Sequence, residues 1–383
     1  MMKFILNLVL PVLVLLFCVG VPQARAMETL AKQAIVIDYD TGTVLFEKNA
    51  DERMPTSSMS KVMTMYVVFE AVKNGNLSLD DEFLVSEKAW KKQGSKMWVE
   101  VGKKVKIEDL VRGVVIQSGN DATIVLAEGM AGSEDAFAVA LNRAAKDLGM
   151  DNSHFMNASG WPDPDHYSTA RDLAKLAVAT IKNHGEYYKY YAEKEFTYSN
   201  ITQPNRNPLL FRDIGADGMK TGHTEDGGYG LIGTGVKDGR RVIIVLNGMS
   251  SIKERAQESA RLLQWGLNGF SNVTLFEDAH SLGAVPVVLG RKRSVKVQAQ
   301  SPLTVSVPKL YEEDMKAEIE YKSPLKAPVA KGDVVGTVKV HVPKGEVKEL
   351  PLVASEDIGE LSWFLKLISK ARLLSTGEGY LGR

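Results

Sequence analysis

The hydrophobic period changes along this chain, and that change limits the folds open to it more than any other feature. From Ala34 to about Phe270 two periods are interleaved. Ala34-Ile35-Val36-Ile37 reads as a strand, Asp40-Thr41-Gly42 as a turn and Val44-Leu45-Phe46 as the returning strand. Helical spacing follows at Ser58–Lys73, Ala122–Met130, Glu134–Leu148 and Thr169–His184, the last opening with a candidate capping box, Thr169-Ala170-Arg171-Asp172. Closely spaced strand patterns come next at Met219–His223, Tyr229–Gly235 and Arg241–Gly248, and a helix over Lys253–Leu267 closes the region. Short strand-to-strand spacing predicts an antiparallel sheet with helices against it.

From about Ala284 to Leu352 only period two remains. Val295, Val297 and Ala299 alternate with polar residues, as do Leu303, Val305 and Val307, then Ala317, Ile319 and Tyr321, then Val338, Val340 and Val342. This predicts a small all-β sandwich. The tail Ile358–Leu374 returns to helical spacing, with Ile358, Leu361, Phe364, Leu365 and Ile368 on one side, widened by Trp363 and Leu367. Ser362, Lys366, Ser369 and Lys370 fall opposite. That segment is too short and too polar to span a bilayer and suits a helix lying in a membrane surface; docking on the protein itself is the alternative.

At the other end, Lys3, the apolar run Phe4–Val19, Pro22 and Ala24-Arg25-Ala26 form a secretory signal peptide pattern, with cleavage expected after Ala26; an uncleaved anchor is the alternative. The one cysteine, Cys18, lies in this segment behind a bulky Phe17 that disfavours lipidation. The mature chain then has no disulfide, thiol nucleophile or thiolate metal site. Forty-seven basic residues balance 47 acidic ones, so no basic field argues for nucleic acid. The expected organisation is α+β: a signal peptide over 1–26, a catalytic domain over 27–283, a β-sandwich over 284–352, and a linker with an amphipathic helix over 353–383.

Ser58-Met59-Ser60-Lys61 is an S-x-x-K pattern at a helix start. Residues i and i+3 share a helix face, so the hydroxyl and the amine can meet, and a neutral lysine can serve as base to a serine nucleophile. The spacing recurs at Ser250/Lys253, Ser306/Lys309 and Ser323/Lys326, and on this motif alone a plain helix cap at Ser58, with Lys61 solvated, is the favoured reading. Ser118-Gly119-Asn120 is the only S-x-N in the chain, and Lys220-Thr221-Gly222-His223 the only K-[ST]-G. The first reads as a helix entrance or as a second hydroxyl and a carboxamide beside a nucleophile. The second reads as an edge-strand lysine or as a fixed cation and hydroxyl for a substrate carboxylate, with Gly222 leaving the strand edge clear. Each is weak alone. In this order, on a helix start, a loop and a strand, they match one chemistry.

On these motifs the chain resembles the low-molecular-mass penicillin-binding proteins, in particular the D-alanyl-D-alanine carboxypeptidases. Asp217-Gly218-Met219-Lys220-Thr221-Gly222-His223-Thr224, Asn205-Arg206-Asn207, Tyr167-Ser168-Thr169-Ala170-Arg171-Asp172 and Ser118-Gly119-Asn120-Asp121-Ala122 carry the resemblance, with the β domain and the tail in the family's order. Pro208 replaces an expected glycine in a slightly short loop, which bears on the role of Arg206.

The resemblance implies a β-lactamase/transpeptidase-like domain. In it Ser58 is the nucleophile, Lys61 the base, and Ser118 with Asn120 serves the leaving amine. Lys220, Thr221, Gly222, His223, Arg206 and Arg255 hold substrate, and the Ser58 and His223 amides form the oxyanion hole. Lys220 is expected to help keep Lys61 neutral. Peptidoglycan pentapeptides and β-lactams are the implied ligands, with no cofactor and no metal. A β-lactamase, a DD-endopeptidase and a non-catalytic wall-binding protein are the rivals. Gly228-Tyr229-Gly230-Leu231-Ile232-Gly233 matches G-x-G-x-x-G on strand text, which argues against dinucleotide binding. Of the six histidines only His223 has motif support; the others read as structural or surface residues.

Overall fold

A computed structural model describes residues 27–277, 281–343 and 345–368. The signal-peptide pattern and the end of the tail lie outside them. The chain begins with β1 (Gln33–Asp38) and β2 (Val44–Lys48), then α1 (Lys61–Lys73). A short hairpin, β3 (Glu82–Leu84) with β4 (Lys104–Lys106), encloses α2 (Glu87–Lys91). Helices α3 (Ile107–Val115), α4 (Asn120–Ala131), α5 (Glu134–Asp147) and α6 (Ala170–Asn183) follow, then the hairpin β5 (Glu195–Tyr198) and β6 (Ile201–Pro204). β7 (Ala216–Thr224), β8 (Gly228–Lys237) and β9 (Arg240–Met249) lead into α7 (Ile252–Gly269).

Five strands form one antiparallel sheet in the order β2-β1-β9-β8-β7. Its central strands are apolar on both faces, and period two sorts their residues into two cores. Ile35, Ile37, Ile243 and Val245 face the large core shared with α1, α3, α4 and α6. Ala34, Val36, Val242, Ile244 and Leu246 face the smaller core under Leu262 and Leu263 of α7. Each such buried aliphatic side chain contributes roughly 1.5–3 kcal/mol. β7 is an outer strand, and the turn at Ser57–Ser60 packs against it. The Thr169 hydroxyl caps α6 by accepting the Asp172 N–H at 3.0 Å. The capping box is only half formed, because the Asp172 carboxylate accepts instead from the Asn152 amide, Ser153 and Lys175.

The second region opens with β10 (Phe270–Leu275), and continues through β11 (Gly283–Val288), β12 (Ser294–Ala299), β13 (Leu303–Pro308), β14 (Lys316–Tyr321), β15 (Leu325–Lys326), β16 (Val334–His341) and β17 (Val347–Ala354). β10 pairs with β13, and the others form a sheet in the order β14-β16-β17-β12-β11-β15. Val295, Val297, Val338, Val340 and Leu352 fill the core between them, as the alternation predicts. β14 departs from that pattern. It is the edge strand, and Ala317, Ile319 and Tyr321 are all exposed.

A polar junction ties the two regions together. Asp38 pairs with Arg240 at 2.6 Å and accepts from Asn272 Nδ2 at 3.0 Å. Ser306 Oγ donates to Asn272 Oδ1 at 2.7 Å and lies 2.8 Å from Thr41 Oγ1.

The tail differs from its sequence pattern. Ile358 and Leu361 are not on a helix but are buried against the β region: Ile358 bridges Val329, and the Leu361 amide donates to the Leu289 carbonyl. Helix begins only at 363, where Trp363, Phe364, Leu367 and Ile368 are exposed.

Candidate active site

The sequence pattern predicts a helix from Ser58. The first turn is a tighter 3-10 segment, Ser57–Ser60, which feeds α1 at Lys61. Ser57 has φ +51°, and Ser118, in the loop ahead of α4, has φ +61°. Left-handed backbone at a non-glycine residue costs about 1–3 kcal/mol, and such strain persists where the surroundings force it. Both residues border the groove that follows.

Ser58 is half-buried and Lys61 fully buried. Lys61 Nζ lies 2.7 Å from Ser58 Oγ, 2.8 Å from Asn120 Oδ1 and 2.7 Å from the Ser159 carbonyl. Asn120 Nδ2 donates to the Gln93 carbonyl, so Oδ1 is the atom turned to Lys61. Burial drives the lysine's pKa well below its ordinary value, and the Arg206 charge adds to this. Lys220 adds to the same effect, since the repulsion between the two buried lysines is mutual. Lys220 is itself buried and shifted the same way, by desolvation first and by Lys61 second. Its Nζ donates to Ser118 Oγ at 3.0 Å.

β7 carries Lys220 to His223 past the turn that holds Ser58. Gly222 lines the cavity and has a second role on its other side. A Cβ there would come 2.9 Å from the Thr56 carbonyl and 3.2 Å from Ser57 Cβ. The glycine therefore lets β7 close on the turn that holds Ser58. His223 stacks on Tyr229, with ring centroids 3.9 Å apart. Arg255, on α7, is buried and reaches the Gly222 carbonyl only at 3.5 Å; its Nε has no partner. Arg206 bonds Ser95 Oγ across the groove, and Pro208 merely opens a 3-10 turn capped by Asn207.

Ser58, Ser118, Thr221, His223, Arg206 and Arg255 line one cavity of about 480 Å³. A somewhat larger cavity, about 580 Å³, is lined by Ser57, His166 and Thr224 among others, and by neither Ser58 nor Ser118. We place the chemistry in the smaller one, where the three motifs meet. Among the described residues no group of three or more His, Cys, Asp and Glu side chains is arranged for a metal ion. The G-x-G-x-x-G match lies along β8.

Four supports escaped the motif reading. Asp121 is buried, and its carboxylate accepts the backbone N–H groups of Met97, Trp98, Val99 and Ala122, which fixes the loop beside Asn120. An acid in the first turn of α4 is a visible signal for such a role. Asp217, part of the K-T-G stretch, is held by both terminal nitrogens of Arg241, by Thr234 and by Tyr188, which anchors the start of β7. The Ser159 carbonyl and Ser95 carry no sequence signal, since a backbone group and a loop serine look like any other.

The chain is similar to known proteins over most of its length. The family described as D-alanyl-D-alanine carboxypeptidase matches residues 21–250, and that described as penicillin-binding protein 5, C-terminal domain, matches residues 270–360. The chain is 36% identical over 343 residues to D-alanyl-D-alanine carboxypeptidase DacA of Haemophilus influenzae, covering 88% of this chain and 87% of that one. It is 38% identical over 342 residues to DacC of Escherichia coli, covering 87% and 86%. The solved structure of D-alanyl-D-alanine carboxypeptidase DacD from Francisella tularensis superposes with a TM-score of 0.78 at 34% identity, covering 88% of this chain and 95% of that one.

Proposed function

From the premise that the chain belongs to the D-alanyl-D-alanine carboxypeptidase family of serine penicillin-binding enzymes, we propose that it removes the terminal D-alanine from peptidoglycan pentapeptides through an ester on Ser58, and that β-lactams acylate the same serine. The observation that carries this reading is the set of contacts around Lys61. A neutral amine has two N–H donors and one lone pair. Asn120 Oδ1 and the Ser159 carbonyl can only accept, so they take both hydrogens. The lone pair is left for the Ser58 hydroxyl.

The steps then follow. Lys61 takes the proton as Ser58 Oγ attacks the carbonyl between the two D-alanines. The Ser58 and His223 amides stabilise the oxyanion. Ser118, held by Lys220, passes a proton to the departing D-alanine nitrogen. Thr221 and the incompletely paired Arg255 receive the terminal carboxylate, with Arg206 across the groove. Water then hydrolyses the ester. A β-lactam leaves an ester that hydrolyses slowly, because its opened ring stays attached.

The enzyme is exported by its amino-terminal segment. The exposed apolar residues from Trp363 onward rest it on the outer face of the cytoplasmic membrane. Among the described residues no helix is long and apolar enough to cross a membrane. Mass spectrometry after incubation with penicillin and with a pentapeptide tests the chemistry. One adduct on Ser58 and loss of one D-alanine are expected, both absent in Ser58→Ala. An adduct elsewhere, or one retained in that variant, would refute the assignment.

A further inference from the structure

One buried titratable side chain beside the site has no part in the reaction just described. His166 is 5% exposed and lies near the end of the loop from His154 to Tyr167, whose ends are joined by a bridge. The middle of this loop delivers two carbonyls to α1: Ser159 to Lys61, and Ala158 to Thr64 Oγ1 at 2.7 Å. The imidazole joins both partners. Its Nδ1 accepts the Met156 N–H at 3.2 Å, so the hydrogen of the neutral ring sits on Nε2. Nε2 lies 2.7 Å from Ser60 Oγ and donates there. The Ser60 hydroxyl then donates to Thr56 Oγ1 at 2.5 Å. Ser60 is the residue before Lys61.

Phe155 packs edge-on against the ring. The charged or titratable groups that face it are Asp163, His154 and Lys61. Burial outweighs them and lowers the imidazole pKa to about 4, so the ring is neutral across the working range.

We infer that His166 is a positioning residue for acylation: its donor and acceptor clamp the start of α1 to the 154–167 loop and so keep the Ser159 carbonyl on Lys61. This rests on the reading of Lys61 as the base. If the carbonyl is released, one Lys61 N–H loses its acceptor and the lone pair is no longer confined to Ser58 Oγ. A histidine that merely filled space would be replaceable by an apolar ring. The clamp needs one donor and one acceptor on the same side chain.

The test is the rate of acylation by labelled penicillin from pH 5 to 9, with thermal unfolding measured on each variant. His166→Phe is expected to slow acylation at pH 7 by ~10- to ~10²-fold, the scale of a small misplacement of a reacting group. It should also move the acid limb to higher pH, because a loosened Lys61 is more easily hydrated and protonated. His166→Gln keeps a donor and an acceptor and should recover most of the rate and the original limb. Ser60→Ala cuts the clamp from its other end and should shift the limb as His166→Phe does, which keeps the test open if the latter fails to fold. Wild-type rate and limb in folded His166→Phe would overturn the inference. So would equal losses in the Phe and Gln variants that follow only their melting temperatures. A Ser58→Ala control that still labels would instead refute the nucleophile, a separate failure.

Discussion

The catalytic region and the β region bury different things. The first encloses Lys61, Lys220, Ser118, Asp121, Arg255 and many other polar side chains. After Phe270, Ser306 alone among the described residues is a buried polar side chain, and it belongs to the junction. Burying a polar group costs free energy unless it is hydrogen-bonded, and burying a charge costs more. The β region avoids this cost and is held by aliphatic packing. The catalytic region accepts it, and the result is a lysine whose pKa burial drives well below its ordinary value, as the proposed base requires. The contrast separates stability from chemistry within one chain, and substitutions can probe the separation.

The largest effect should follow at Lys61. Lys61→Arg keeps a cation but offers no lone pair, so penicillin acylation should fall by ~10²–10⁴-fold, the usual worth of proton-transfer catalysis. In the wild type the lysine is active only when deprotonated. Acylation should therefore decline as pH falls through its lowered pKa and persist above it, by stopped-flow or labelling. The same shift affects stability. Between the folded pKa and the ordinary value near 10.4 the unfolded chain binds more protons, so this group makes the fold more stable as pH rises. Lys61→Met should flatten the melting temperature's rise with pH.

Next in size is Asp121→Ala. It leaves the N–H groups of Met97, Trp98 and Val99 without their acceptor, at roughly 1–3 kcal/mol for each one that stays buried. Both melting temperature and acylation should drop, since the loop also holds Asn120 through the Gln93 carbonyl. If only stability fell, the division between the regions would be sharper than drawn here.

Leu352→Ala probes the other side of the comparison. This side chain is fully buried in the β region, and its loss should cost ~2–5 kcal/mol, read by denaturant unfolding. The acylation rate at 25 °C should not change; a parallel loss would show that the junction at Asp38, Asn272 and Ser306 transmits strain to the groove.

The smallest effect on chemistry should come from ending the chain after Ser362. That cut spares Ile358 and Leu361, which the β region buries, whereas a cut at Asp357 would strip them out. Small-peptide turnover should be unchanged, and sedimentation with anionic vesicles should be lost. Equal partitioning of full-length and shortened proteins would dismiss the anchor.

How much was legible follows the same division. Alternation exposed the β region, because burial on one face imprints period two, and short apolar runs exposed the central strands, because burial on both faces removes the polar positions. It misled at β14, where an edge strand keeps the alternation without a core behind it, and at Ile358–Leu361, whose helical spacing belongs to chain docked in extended form. The site was legible only where side chains act. Ser58, Ser118 and Thr221 stand in motifs and line one cavity, and Lys61, Asn120 and Lys220 stand in the same motifs and are hydrogen-bonded behind them. The Ser159 carbonyl leaves no residue type to find, and the close approach of Gly222 to the Thr56 carbonyl went unread, since only the fold shows which backbone its missing Cβ would strike.

The outer position of β7 has one more consequence. Most proteins hide, shorten or charge the margin of a sheet, because unpaired backbone groups there invite a second chain and with it aggregation. Here that margin is the workbench and cannot be hidden. In the proposed reaction a short anionic peptide end fills this margin, drawn by Arg206 and Arg255, so an edge that elsewhere invites a strand is here matched to a substrate.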